Sequence, residues 1–295
     1  MTEHLRILEP HPGILAFYDG RIPGQRFMPG LNWVDEGALS LGIASYAIVS
    51  GAQALVYDTH VSVPHAQAIR AELTAQGVTD ITVVLSHWHK DHVAGTAAFA
   101  DCRIISNAKT ASHLAHHRAD IESGQRHPPA INPLVMPTQT FDGAMQLQVG
   151  AVTVALIGAN IHSDDATVLW LPASGILLAG DTVEDCCTFV AEPQDLALHL
   201  ADLDRLTALA PSWVLPNHGH PGRIAAGGYG PGIIPATQSY IRWLLQVQVN
   251  PSLATIPLHT VIANELAAET LDWFAPYETV HRANINAVRA CADRP

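Results

Sequence analysis

Apolar residues along this chain come in short runs cut by Gly, Pro or Asp. The run ITVVL at 81–85 is β-branched and uncharged, which predicts a buried strand. Similar runs predict strands over 13–18, 44–49 and 54–57 in the first half, with Ser50-Gly51 as a hairpin turn. In the second half they predict strands over 145–149, 152–157, 167–171 and 176–178. Helical spacing appears between them. A helix starts near Pro64, carries Ala68, Ile69 and Leu73 on one face and stops at Gly77. Gly95 to Ala100 opens another, and 195–209 places Leu196, Leu200, Leu203 and Leu206 on one side. Three further helices are expected over 236–249, 259–268 and 278–292. The picture is of two β-rich halves joined by a helical and loop insertion, with no internal repeat.

Two segments resist this reading. Residues 18–35 are rich in Gly and Pro, carry Phe27, Met28 and Trp33, and predict an irregular cleft loop with apolar tips. Residues 109–137 place His113, His116 and His117 at helical spacing before a Pro-rich stretch. No carboxylate or cysteine joins them at a metal-ligand spacing, so a lid-facing stripe is expected there rather than a second metal site.

Composition narrows the class. The 295 residues are 48% hydrophobic and 14% charged, enough for a large core and too apolar for disorder. A net charge of −12 argues against a nucleic-acid groove, which needs clustered Lys and Arg. No run reaches membrane-span length, and the N-terminal residues lack a signal-peptide pattern, so a cytoplasmic location is expected. Cys102, Cys186, Cys187 and Cys291 form no knuckle or disulfide framework and read as reduced thiols.

The chemistry concentrates directly after the strand at 81–85. Ser86-His87-Trp88-His89-Lys90-Asp91-His92 packs three imidazoles and a carboxylate into one loop. Imidazole and carboxylate suit a borderline ion such as Zn²⁺. Further ligand-type residues stand just past other apolar runs: His162, Asp181 and His218. Each alone would be a turn residue. No Gly-x-Ser-x-Gly elbow offers a serine nucleophile.

Together these residues resemble the metallo-β-lactamase-fold hydrolases, marked by His-x-His-x-Asp-His and then a distant His, Asp and His. The matching positions are His87, His89, Asp91, His92, His162, Asp181 and His218. Asp58 matches the family's strand-end aspartate that supports the site from behind the ligands. The resemblance covers about residues 13–222 and implies an α+β fold, a four-layer αββα sandwich. The whole chain, 1–295, is then one such domain with C-terminal helices at about 235–292. It also implies two zinc ions, with iron or manganese as other candidates. His87, His89 and His162 would hold one ion, Asp91, His92 and His218 the other, and Asp181 would bridge them. The implied reaction is hydrolysis of a small ester, lactone, thioester or amide by a metal-bridging hydroxide, with Asp91 handling the proton.

Departures from known subfamilies bear on the substrate. Class B1 β-lactamases carry Cys at the position of Asp181 and Lys at that of Glu184, and homoserine-lactone lactonases put Tyr at the latter. Glu184, with Trp33 the other candidate substrate contact, would repel a carboxylate by about 1–3 kcal/mol. A small neutral or cationic acyl substrate is therefore expected. The alternatives are a mononuclear iron oxygenase resembling persulfide dioxygenases, and a true β-lactamase.

Overall fold

Successive residues on the same strands face opposite apolar layers, and this doubles the number of layers the chain can build. The computed structural model describes residues 2–125 and 127–292. Its first sheet has the spatial order β1 (Arg6–His11), β2 (Ile14–Asp19), β3 (Ile43–Ser50), β4 (Gln53–Tyr57), β5 (Asp80–Val84), β6 (Arg103–Asn107) and β7 (Gln139–Phe141). Pairing is antiparallel from β1 to β4 and parallel from β4 to β7. Parallel neighbours need crossovers. These are α1 (Val63–Ala75), then α2 (Lys90–Val93) with a 3₁₀ turn at Thr96–Phe99, then α3 (Ala108–Ser123).

The second sheet has the order β12 (Trp213–Pro216), β11 (Ile176–Gly180), β10 (Ser163–Leu171), β9 (Val152–Ile161), β8 (Ala144–Val149). β12 is parallel to β11 after the crossover α4 (Leu196–Ala208). The chain ends in α5 (Pro221–Ala225), α6 (Ile233–Val249), α7 (Leu258–Val261), α8 (Ala263–Ala267) and α9 (Tyr277–Ala292). No helix among the described residues is long and apolar enough to cross a membrane.

Tyr18, Leu55, Val84, Leu169, Leu178 and Leu215 meet between the sheets. Their neighbours Phe17, Val56 and Val83 turn outward to Ile69, Leu73 and Leu114. Val168, Leu177 and Val214 turn to Leu203, Leu206, Tyr240, Leu244 and Val288 on the other side. The result is the expected αββα sandwich, with both faces of each sheet covered.

Three buried tyrosines tie the sheets together across the inner core. Tyr18 donates to Gly219 O (2.9 Å), Tyr46 to Pro216 O (2.5 Å) and Tyr57 to Thr167 O (2.5 Å). A buried phenol keeps its place only with such a partner. The first two bonds hold the end of β12 and the loop after it against the first sheet, and the third ties β4 to β10, near the edge where Asp58, His87, Asp181 and His218 leave their strands.

The structure departs from the periodicity in several places. Strands β1, β6 and β7 were not expected, and β9 runs on to Ile161. The expected helix at 95–100 is a single 3₁₀ turn, and that at 259–268 is broken into α7 and α8. The loop at 18–35 is bounded by β2 and by a π-helical turn, Val34–Leu39.

Candidate metal centre

The loop after β5 turns His87 and His89 toward the edge of the sandwich, where His162 arrives from the turn between β9 and β10. His87 Nε2 lies 3.0 Å from His89 Nδ1 and 3.2 Å from His162 Nε2, and His162 Nε2 lies 3.0 Å from His89 Nδ1. Three nitrogens this close form one face of a small tetrahedron. A zinc ion with ordinary Zn–N bonds would hold its ligands about 3.3 Å apart.

A second trio stands beside it. His92 Nε2 is 3.5 Å from Asp91 Oδ1, and His218 Nε2 is 3.3 Å from Asp91 Oδ2. Asp181 Oδ2 sits between the trios, 3.1 Å from His92 Nε2, 3.5 Å from His218 Nε2, 3.7 Å from His87 Nε2 and 3.8 Å from His162 Nε2. The seven residues read from the sequence are thus gathered into one cluster, with Asp181 between its halves.

The far nitrogens of four of these rings are fixed by other groups, which sets tautomer and direction. His87 Nδ1 meets Ser86 Oγ (2.8 Å), His162 Nδ1 meets Phe189 O (3.1 Å) and His218 Nδ1 meets Gly42 O (2.7 Å). His92 Nδ1 meets Asp58 Oδ2 (2.9 Å). Asp58 also accepts from Ser86 N (2.7 Å) and from Asn217 Nδ2 (2.5 Å). Asn217, Ser86 and Phe189 were not singled out in the sequence. Two of the four acceptors are backbone carbonyls, which leave no trace in residue identity.

Electrostatics divide the trios. Burial, with the surrounding imidazoles, holds His87 well below the usual range, and burial pushes His162 down to about 3 against the pull of Asp181. Burial also opposes charge on His92 and His218. Asp91, Asp181 and Asp58 outweigh it at His92 and leave it well above normal. Asp181 and Asp91 do the same at His218, raising it to about 9. One site is therefore built from neutral nitrogen lone pairs and the other is rich in carboxylate. His92 Nε2 and Asp181 Oδ1 are buried without a hydrogen-bond partner. Buried polar atoms of this kind call for a ligand, and the donor set fits a pair of divalent ions.

The cluster floors a cleft of about 580 Å³ walled by Asp35, Glu36, Ser40, Leu41, Phe189, Pro276, Thr279 and Val280. No Lys or Arg among the described residues lines it. Trp33 does not line it either: its indole N–H donates to Pro129 O (2.9 Å), and it packs under the Pro-rich stretch. That corrects its expected place as a substrate contact. Glu184 does line the cleft but is buried, accepting from Phe189 N (3.0 Å) and Tyr277 Oη (3.1 Å). Burial raises it to about 7. Asp185 is buried as well, 3.5 Å from Arg21 Nη1.

The histidine stripe on α3 also differs from expectation, because carboxylates do join it. His113 Nε2 lies 2.7 Å from Asp164 Oδ1, and Asp165 is close by. Lys109 Nζ sits 3.1 Å from Asp164 Oδ2, so a cation is already in place. His117 stacks on Trp88 at 4.6 Å, which buttresses the metal loop from outside.

Comparison with known proteins agrees with this geometry. A family model described as the metallo-beta-lactamase superfamily matches residues 40–220. The chain is 24% identical over 180 residues to a beta-lactamase-like protein 2 homolog of Caenorhabditis elegans, covering 60% of this chain and 56% of that protein. It is 25% identical over 227 residues to an atrochrysone carboxyl ACP thioesterase of Aspergillus fumigatus, covering 72% and 66%. The chain thus spans little more than half the length of the Caenorhabditis relative. Among solved structures, the metallo-beta-lactamase from Pontibacter korlensis superposes with a TM-score of 0.62 at 16% identity, over 81% of this chain and 99% of that one. The DIM-1 metallo-beta-lactamase gives 0.58 at 18%, over 81% and 97%. With the family match covering most of the sandwich and the loops that carry the seven candidate ligands, this chain belongs to the metallo-beta-lactamase superfamily.

Proposed function

We propose that this chain is a dinuclear metal-dependent hydrolase, with zinc as the leading ion, acting on a small acyl substrate. The observation that carries the reading is the convergence of two ligand trios on the two sides of Asp181 Oδ2. His87, His89 and His162 would hold one ion, Asp91, His92 and His218 the other. Divalent ions bound there supply Lewis acidity toward an acyl oxygen and lower the pKa of water to about 7.

The protein's own groups do the rest. Asp91 has the most exposed carboxylate of the cluster, at 18%, and can take a proton from water and deliver it to the leaving atom. Asp181 holds the two trios at fixed separation. Leu41, Phe189, Pro276 and Val280 offer an apolar wall for the acyl chain and keep bulk water from the reacting carbon. The absence of Lys or Arg among the described residues of the cleft lining disfavours substrates gripped by a carboxylate, β-lactams among them. The thioesterase name carried by one group of relatives supports placing acyl thioesters beside esters and lactones. The net charge of −12 speaks against nucleic acid as substrate, and four free cysteines fit a reducing, cytoplasmic setting.

The test is elemental analysis of stepwise-loaded protein together with a panel of aryl ester, lactone, acyl thioester and β-lactam substrates. Two ions per chain and chelator-sensitive turnover of a neutral acyl substrate are expected. One iron, no zinc and thiol-dependent oxygen uptake would replace this reading with the oxygenase one.

A further inference from the structure

We infer that the C-terminal helix α9, which lies beyond the family match, is a splint that holds metal-ligand His162 in place, with Tyr277 and Asn284 as the positioning residues. The inference rests on the metal centre proposed above and adds to it a part of the chain with no ligand of its own.

The argument begins at His162. Its backbone lies in the left-handed region, at φ +68°, in the one-residue turn between Ile161 and Ser163, an uncommon conformation for a residue other than Gly. The contacts that brace this turn come from one segment, 184–191. Phe189 O receives the ring Nδ1, and Ala191 N donates to the His162 carbonyl at 2.9 Å. The same segment reaches Asp181, whose carbonyl accepts from Thr188 Oγ1 at 2.5 Å. It has no regular secondary structure of its own, so its shape has to come from side-chain partners.

Those partners stand on α9. Asn284 Nδ2 donates to Thr188 O (2.8 Å), and Asn284 Oδ1 accepts from Val190 N (2.9 Å), so one amide clamps both sides of Phe189. Two turns earlier on the same face of α9, Tyr277 Oη donates to Glu184 Oε2, whose other oxygen accepts from Phe189 N. Tyr277, Asn284 and Thr188 are fully buried, and Glu184 nearly so. Asn284 is itself held by Tyr240 Oη of α6 (3.2 Å). The chain of contact is α9 to the 184–191 segment to the His162 ring and backbone. Groups that orient a metal-bound imidazole commonly change metal affinity ten- to a hundredfold when removed. Glu184 therefore acts here as an internal acceptor that shapes the loop.

Two variants test this without dismantling the helix. Tyr277→Phe deletes one hydroxyl, and Asn284→Asp keeps the acceptor for Val190 N while replacing the donor to Thr188 O. In the metal-free protein, amide exchange at Phe189, Val190 and Ala191 should quicken at least tenfold in both, while amides in β3 and β4 stay unchanged. In the loaded protein, the step assigned to His87, His89 and His162 should weaken about tenfold in zinc competition titrations, and the other step should not. The visible spectrum of the cobalt-substituted protein should shift in parallel. Unchanged exchange at those three amides would overturn the splint. Faster exchange with wild-type affinity and cobalt spectrum would confine α9 to stability and overturn its role at the metal. If the wild type binds metal and hydrolyses nothing while both effects appear, the proposed function falls and the splint stands.

Discussion

Asp58→Asn isolates a single charge behind the metal cluster. Asp58 is fully buried and lies at φ +67°, a left-handed conformation that Asn tolerates as well as Asp does. The exchange therefore leaves the backbone unstrained and removes only the negative acceptor. That acceptor takes three hydrogen bonds, from Ser86 N, Asn217 Nδ2 and His92 Nδ1. An Asn can accept on one oxygen only, and its own N–H₂ would face the donors of Asn217 and His92. Replacing a charged acceptor by a neutral one costs about 1.4–2 kcal/mol, or roughly ten- to thirtyfold in affinity. The loss should fall on the site that uses His92 Nε2, because the partner of Nδ1 sets which tautomer presents its lone pair. Zinc titrated against a competing chelator should show two steps in the wild type. In Asp58→Asn the step belonging to Asp91, His92 and His218 should weaken by that factor while the His87, His89 and His162 step is unchanged. Equal weakening of both steps, or of neither, would refute the claim that Asp58 acts through His92.

Three other outcomes are expected. Asp181→Ala should lose or misplace at least one ion with the fold intact, checked by metal content and circular dichroism, because its Oδ2 stands between both trios. Gly95→Ala should be destabilising by about 1–3 kcal/mol, read as a lower urea midpoint, because the added methyl would lie 2.0 Å from Thr59 O and 2.4 Å from Ala66 Cβ. His199 is buried with neither ring nitrogen partnered, and burial lowers it to about 4 against the pull of Asp195 and Asp202. The unfolded chain takes up that proton first, so about 3 kcal/mol of stability present above pH 6.5 is lost as the pH falls toward 4. His199→Leu should remove that slope from the metal-free protein's pH-stability curve, and an unchanged slope would count against it.

How far the sequence could be read follows from how local each signal is. The cluster at 86–92 was legible because one loop carries four ligand-type side chains at fixed spacing. His162, Asp181 and His218 were legible only as strand ends, and their convergence rests on the two sheets packing face to face, which brings those strand ends to one edge of the sandwich. Strands β1, β6 and β7 were missed for a physical reason. β1 (RILEPH) is half exposed, β6 (RIISN) has only two apolar residues between charged and polar ones, and β7 is three residues long, so none stands out as an apolar run. The acceptors behind the histidines were out of reach, since Gly42 O and Phe189 O are backbone atoms. Asp164 reaches His113 from the opposite sheet, 51 residues away in sequence, so no local spacing could join them.

The charge argument about substrates changes most once partners are known. From the sequence, Glu184 is an acid three residues past Asp181 and a source of repulsion for a carboxylate. In the structure it is buried and already accepts hydrogen bonds from Phe189 N and Tyr277 Oη, and burial pushes it up to about 7. Asp35, another acid on the cleft wall, is consumed by Phe27 N, Asn32 Nδ2 and the nearby Arg26. Glu36 is the exposed acid on this wall, where solvent screens it. Repulsion in the cleft is therefore weaker than residue identity suggests. What weighs against a carboxylate-bearing substrate is the lack of any Lys or Arg among the described residues that line the cleft, since a desolvated anion needs a charged or hydrogen-bonding partner to offset its burial. The proposal of a neutral acyl substrate therefore rests on that lining rather than on Glu184.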